Sequence, residues 1–473
     1  VVQDTFYADT SEAERRIVAA IGNVARPRAN VAFNRDLDHI PGERGMWHSV
    51  ANLVGFMRHG AAHVTAQVQQ YGPVFRHMVA ADQAVFVSDP ETLALMARNE
   101  DKAWSTALAY RSMFAALVPG AETLDFLTTF DFEVHRDVRK ALQPAFSPAA
   151  LASYVDVAAS AYEEAIDQWL KRGKVSFKAE VRRLFADVAG RIFTGIDDPR
   201  EAKLLDRATS DMWSSMTVLA KNSIVSPKWR RALGGYRTLH EALLPRVAAR
   251  RNSGGTDLFS RLCQAQSDLL DDDGLVRLFI GIMLAAFDTT SLGTTSMAYL
   301  LAKHGTWQDR LREEARGVPP TESGFEGLKR LEQHDWVWKE TLRLFPVASA
   351  IPRVSLRDLE LGGHRIPAQT FVLGLIAPLL RDPRYWTAPE RFDPERFAPD
   401  RAEDKRHRAA YLPFGTGPHV CLGMQLANIE AKVFWQTLLS RARIRLARDY
   451  EARHQFTPLG SVSGNVDLIV ERV

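Results

Sequence analysis

Two cysteines, Cys263 and Cys421, stand in very different surroundings. Residues 414–423 read Phe414-Gly415-Thr416-Gly417-Pro418-His419-Val420-Cys421-Leu422-Gly423, and an apolar-periodic helix follows from near Leu422 through Met424, Leu426, Ala427, Ile429, Ala431 and Val433. A cysteine at a helix N-terminus meets free backbone N–H groups and the positive end of the helix dipole. Both favour the thiolate, the form that binds a metal. Gly415 and Gly417 permit a tight turn and let a flat ligand approach the backbone. Gly423 removes bulk beside the sulfur, and Phe414 can pack over it and limit water. Cys263, in Leu258-Phe259-Ser260-Arg261-Leu262-Cys263-Gln264, reads as a small buried hydrophobe on a helix. A disulfide between the two stays open at this level. No disulfide framework is present, which fits a reducing, cytoplasmic compartment.

A second constellation lies in Ala285-Ala286-Phe287-Asp288-Thr289-Thr290, inside a helix that is apolar nearly all round. An acid and a hydroxyl there are costly unless used. Thr289 can donate back to the carbonyl of Ala285 and open the helix locally. A third is Glu340 and Arg343, three apart on one helix face before Pro346, with Pro394-Glu395-Arg396-Phe397 further on. Taken alone, the Glu340–Arg343 pair would be a solvated ion pair of small value. His135 and Arg139, four apart, share another helix face.

Phe-x-x-Gly-x-x-x-Cys-x-Gly over residues 414–423 resembles the haem-binding signature of the cytochrome P450 family. The other constellations follow in that family's order: Glu340 lies 51 residues after Thr289, and Cys421 lies 81 after Glu340. The resemblance implies haem b with Cys421 as its axial ligand, a thiolate that pushes electron density toward O–O cleavage. It implies a buried cluster of Glu340, Arg343 and Arg396 holding a coil beneath the haem. Thr289 would support proton delivery and Asp288 relay protons, with Ala285 and Ala286 beside the cofactor. Ala286 replaces the family's usual glycine, and its methyl would narrow the oxygen groove. His135, Arg139, Arg353 and His419 would meet the haem propionates.

The elements that must position these residues divide unevenly. Residues from about 40 to 105 mix helix and strand: Tyr71-Gly72-Pro73-Val74-Phe75-Arg76 enters a strand, Ala84 to Val87 is its hairpin partner, and Asp89-Pro90-Glu91 opens a helix. From about 130 to 350 the pattern is helical, with breaks at Ser226-Pro227, 252–255 and 271–274. Short strands return from Ile351 to Leu375, a Pro-rich coil runs from Pro383 to Pro399, and Val466 to Val470 is strand-like. The fold class is mostly α with small β-sheets (α+β). The resemblance makes it a P450 fold, with haem between a long distal helix and the cysteine loop, in a single catalytic domain spanning 1–473.

Hydrophobic residues at 46% and charged residues at 25% fit a globular chain and argue against disorder. A net charge of +3 is too mild to argue for nucleic acid. The first residues are polar and show no signal peptide or anchor. Apolar runs such as Leu278 to Phe287 and Phe371 to Leu380 are short of the roughly 20 residues a bilayer needs. The expected enzyme is a monomeric monooxygenase inserting one atom of O2 into a hydrophobic small molecule. The apolar segment Thr106 to Leu127, with Ala107, Leu108, Met113, Phe114, Leu117, Val118 and Phe126, would roof its pocket. Electrons would come from a separate ferredoxin- or flavodoxin-type donor with its reductase, docking near Lys405-Arg406-His407-Arg408, Arg136 and Lys140. The alternatives are a peroxygenase and a non-catalytic haem protein. The Asp288–Thr289 pair argues against both.

Overall fold

Polar caps set the helix starts in the computed structural model, which describes residues 36–43, 45–79, 82–117, 125–196, 198–214, 226–265, 270–318, 326–456 and 459–473. The helices are α1 (Met46–Tyr71), α2 (Pro90–Arg98), α3 (Thr106–Leu117), α4 (Phe132–Leu142), α5 (Pro148–Arg172), α6 (Phe177–Thr194), α7 (Pro199–Ser214), α8 (Pro227–Leu243), α9 (Val247–Arg251), α10 (Leu258–Gln264), α11 (Asp272–Lys303), α12 (Gly305–Arg316), α13 (Glu332–Leu344) and α14 (Met424–Arg441). Asp89 caps α2 by accepting from Thr92 N at 2.8 Å, ahead of Pro90. Asp271 caps α11 through Gly274 N at 2.7 Å, and Asp272 and Asp273 complement the dipole in its first turn. The last helix begins at Met424, two residues later than its apolar pattern suggests, because a 3-10 turn at Gly417–His419 and the cysteine itself precede it.

The strands are β1 (Val74–Val79), β2 (Asp82–Val87), β3 (Trp104–Ser105), β4 (Lys174–Ser176), β5 (Ala350–Ser355), β6 (Leu359–Leu361), β7 (His364–Ile366), β8 (Phe371–Leu375), β9 (Ala442–Leu446), β10 (His454–Phe456), β11 (Gly460–Val462) and β12 (Asp467–Arg472). The main sheet has the order β1-β2-β8-β5-β3; β2 and β8 run parallel and its other neighbours antiparallel. Arg353 pairs with Val372 in its interior, so the sheet fixes where that side chain starts. A second sheet joins β4, β12 and β9.

The helical core gathers around α11, whose 32 residues span about 48 Å at 1.5 Å per residue. One tryptophan ties three site-bearing helices together. Trp338 of α13 lies against Gly293 of α11, where a Cβ would stand 2.5 Å from the indole, and donates to Asn428 Oδ1 of α14 at 2.9 Å. The expectation that no segment reaches membrane-spanning length is corrected for α11. By length and composition this helix is long and apolar enough, because its Ser, Thr and Gly residues extend the apolar run at little cost in hydropathy. About half of that stretch is buried within the protein core.

His454 pins distant segments. It accepts from Ala61 N at 3.2 Å through Nδ1, which makes Nε2 the donor to Pro346 O at 2.9 Å. Burial pushes its pKa down to about 4. The unfolded imidazole takes up a proton first as pH falls through 6.5, so the stabilisation is complete above that value and is lost toward pH 4. We expect urea unfolding of the wild type to lose on the order of 3 kcal/mol more over this window than that of His454→Gln. Parallel pH profiles of the two proteins would refute this assignment.

Candidate active site

The cysteine loop is closed by its own backbone. Cys421 N donates to Phe414 O at 2.9 Å and Gly415 N to Leu412 O at 3.0 Å. Gly415 and Gly417 both adopt φ of 71°, a left-handed conformation that other residues resist. Gly417 meets a second demand: a Cβ there would lie 2.3 Å from Ala97 O. The close approach is therefore to the end of α2. Within the protein, a Cβ at Gly423 would meet nothing within 4 Å, so packing does not require that glycine. Phe414 is half-buried against the helical core.

Cys421 is an exposed residue, while neighbouring protein atoms desolvate its sulfur. That desolvation pushes the thiol up, while the N–H groups of Gly423 and Met424 and the Arg139 guanidinium pull it down. Cys421 and Cys263 are both free, which closes the question of a disulfide. Cys263 is buried and pushed up to about 12 by desolvation, so it is the inert thiol.

Four basic groups from three elements converge beside this sulfur. Arg139 of α4 donates to Val420 O at 2.8 Å. The rings of His135 and His419 lie 3.8 Å apart. Arg353 is buried at 2% exposure. Burial and then neighbouring positive charge hold His135 down to about 4 and His419, which also faces the His135 ring, down to about 2. Among the described residues, His135 Nε2, His419 Nδ1 and Arg353 Nε are buried without a partner. Each such orphan costs about 1–3 kcal/mol unless a ligand satisfies it. Unpaired donors around a free thiol are what a cofactor with carboxylates and a metal would fill, so these residues fit haem. Tyr110 was not anticipated; burial raises it, and both Arg353 and Cys421 act on it. Its one sequence signal is a phenol in an apolar stretch.

On α11, Thr289 Oγ1 donates to Ala285 O at 3.2 Å, the back-bond expected from the spacing. Asp288 accepts from Arg182 Nε of α6 at 2.6 Å. That pair borders a cavity of about 150 Å³ lined in part by Lys178, Arg182, Asp288 and Ser291. Ala286 packs against the helical core. Glu430 of α14 was also not anticipated. It is buried, pushed up to about 8 by desolvation, and hydrogen-bonded to Thr290.

Glu340, Arg343 and Arg396 do form one buried cluster. Arg343 Nε meets Glu340 at 2.7 Å and Arg396 Nε meets it at 3.1 Å, all at 0% exposure. Glu403, a fourth member, takes Arg396 Nη1 at 2.8 Å. Burial alone would raise Glu403, but Arg401, the Thr387 N–H and Arg396 hold it at about 2. Trp386 flanks both arginines, at 5.3 Å from Arg343 and 6.0 Å from Arg396.

A model of the family described as Cytochrome P450 matches residues 41–468. The chain belongs to the cytochrome P450 family. Cytochrome P450 136 of Mycobacterium tuberculosis is 30% identical over 421 residues, covering 87% of this chain and 84% of the relative. Cyclooctat-9-en-7-ol 5-monooxygenase of Streptomyces melanosporofaciens is 32% identical over 66% of this chain and 71% of its own. A solved structure of retinoic-acid-bound cyanobacterial CYP120A1 superposes with a TM-score of 0.79 at 25% identity, covering 92% of this chain and 99% of that one. As a P450, the chain is a haem-dependent monooxygenase, with the mostly helical fold and small sheets that its sequence implies.

Two expectations change in this P450. Ala107 and Leu108 are buried rather than lining a pocket; Leu108 packs with Val354, Leu356 and Phe371, and Met113 joins that satellite core. Phe126 belongs to the helical core, beside Gly281. Val118 and the side chains of Phe114 and Leu117 lie outside the described residues. The basic run is largely spent on the protein itself: His407 and Arg408 both bond Glu91, and Arg406 bonds Tyr385 O. For the ion cluster, Arg396→Ala would remove the one cation that Glu340 and Glu403 share, leaving two buried carboxylates to Arg343 and Arg401. We expect it to lower stability by about 3–5 kcal/mol in urea titration. A loss below 1 kcal/mol would refute that role.

Proposed function

We propose that Cys421 is the thiolate ligand of haem b and that His135, Arg139, Arg353 and His419 hold its propionates. The observation that carries this reading is a free Cys421 sulfur beside three unpaired buried nitrogens. Bound there, haem supplies redox and oxygen-activating chemistry. Monooxygenation places one oxygen atom of O2 in the substrate and releases the other as water, using two electrons and two protons. The protein must therefore deliver protons on the side facing α11. Thr289, whose O–H is donated to Ala285 O, leaves the lone pairs of Oγ1 free to accept from and hold a proton-carrying water there. Asp288 exchanges protons with solvent through the cavity that Lys178 and Arg182 line, which has room for a few waters at about 30 Å³ each. Its ion pair with Arg182 must loosen for that exchange.

The substrate is a hydrophobic small molecule. Of the two relatives, one is named for an alkenol and the other binds retinoic acid, both mostly hydrocarbon with one oxygenated group. Electrons come from a separate ferredoxin- or flavodoxin-type protein. With His407 and Arg408 engaged by Glu91 and Arg136 by Asp137, Lys140 and Lys405 are exposed cations that can meet an acidic donor.

The reduced carbonyl complex should show the red-shifted Soret band of a thiolate ligand. Cys421→Ala should lose it and Cys263→Ala should keep it; the opposite pattern rules out Cys421 as ligand. With a reconstituted donor and a substrate found by haem spin-state shift, Thr289→Ala should keep NADPH consumption while product per NADPH falls at least about tenfold. Unchanged coupling would remove Thr289 from the proton path.

A further inference from the structure

Helix α1 is built inside out. Gly60, at φ of 47°, kinks it into two arms, and the first arm folds back on the second. The inward side of the first arm is polar or small. Asn52 Nδ2 lies 3.0 Å from His77 Nδ1, Asn52 Oδ1 accepts from Gln67 at 2.6 Å, and Gly55 abuts the His63 ring. Phe56, on Phe456 at 4.5 Å, is the apolar contact on that side. The outward side carries Trp47, Val50, Leu53, Val54 and Met57, at 86%, 48%, 50%, 41% and 43% exposure. At 100° per residue these five cover an arc of about 120°. Among the described residues they are five of the eight exposed large apolar side chains. A surface helix of a globular protein normally turns such a stripe inward.

We propose that the first arm of α1 is a membrane-surface contact that lies along the headgroup region of an anionic bilayer. Three observations favour lipid over protein. The arm is a convex strip of about three turns carrying five apolar side chains, whereas a stable protein interface takes about 800 Å² and 20–30 residues per partner. All 26 residues of α1 lack a carboxylate and Arg58 adds a positive charge near the end of the first arm, so negatively charged headgroups meet no repulsion from the helix itself. Trp47, the most exposed of the five, stands at the end of the arm, as interfacial aromatic anchors do. The contact is peripheral and sits on α1 alone, independent of the haem-site assignment.

Flotation of the full-length holoprotein with phosphatidylglycerol vesicles tests this. Wild type should float with the vesicles. Trp47→Ser/Leu53→Ser/Met57→Ser should partition at least about tenfold less, with its carbonyl-complex spectrum unchanged as the control for folding. Equal partitioning of both proteins overturns the proposal, and so does failure of wild type to float. Self-association of wild type in sedimentation velocity that the triple variant abolishes, without vesicle binding, would instead assign the face to a second copy of the chain.

Discussion

Glu340, Arg343, Arg396 and Glu403 place two negative and two positive side chains at 1% exposure or less, and the segment leading to Cys421 hangs from them. That segment has almost no sheet ladder to satisfy its backbone. The guanidinium donors do so instead: Arg343 reaches Leu380 O and Arg391 O, Arg396 reaches Thr387 O, and Glu340 accepts from Asp393 N. Apolar replacements often match a buried ion pair in stability, but they could not hold these carbonyls. The cluster therefore fixes shape. Its helix is tied to α11 and α14 through Trp338, so the helix that carries Thr289 and the helix that follows Cys421 share one frame.

Local chemistry made much of this legible. The cysteine loop, the Glu340–Arg343 pair, the Thr289 back-bond and the Asp89 cap each depend on residues within a few positions of one another, and the structure contains each of these contacts; 271–274, which reads as a break, instead holds the cap and first turn of α11. What the sequence left hidden is tertiary. Gly417 answers to Ala97, more than three hundred positions away, so its reason for being glycine has no local signature. Glu403, Arg182 and Glu430 look like ordinary surface charges until folding buries or pairs them. The basic run at 405–408 shows its charge in sequence, but its partner Glu91 lies on a different helix. Ala107 and Leu108 show how an apolar stretch predicts burial without saying against what.

Around the thiol the protein presses like-charged or chargeable groups together. His135 and His419 tolerate the nearby Arg139 and Arg353 by staying neutral, which desolvation also enforces. A pair of carboxylates entering this ring reverses the sign of the local field and gives the orphaned nitrogens acceptors. Groups so arranged would recognise an anionic ligand electrostatically as well as sterically.

The ion cluster also bears on the order of assembly. Glu340 and Arg396 close a loop of 56 residues using contacts that involve no cofactor atom. The entropy of ordering that loop, which grows only slowly with its length, is met within the polypeptide. The segment that leads to Cys421 is therefore ordered by side chains of the chain itself, and cofactor contacts need not supply that closure.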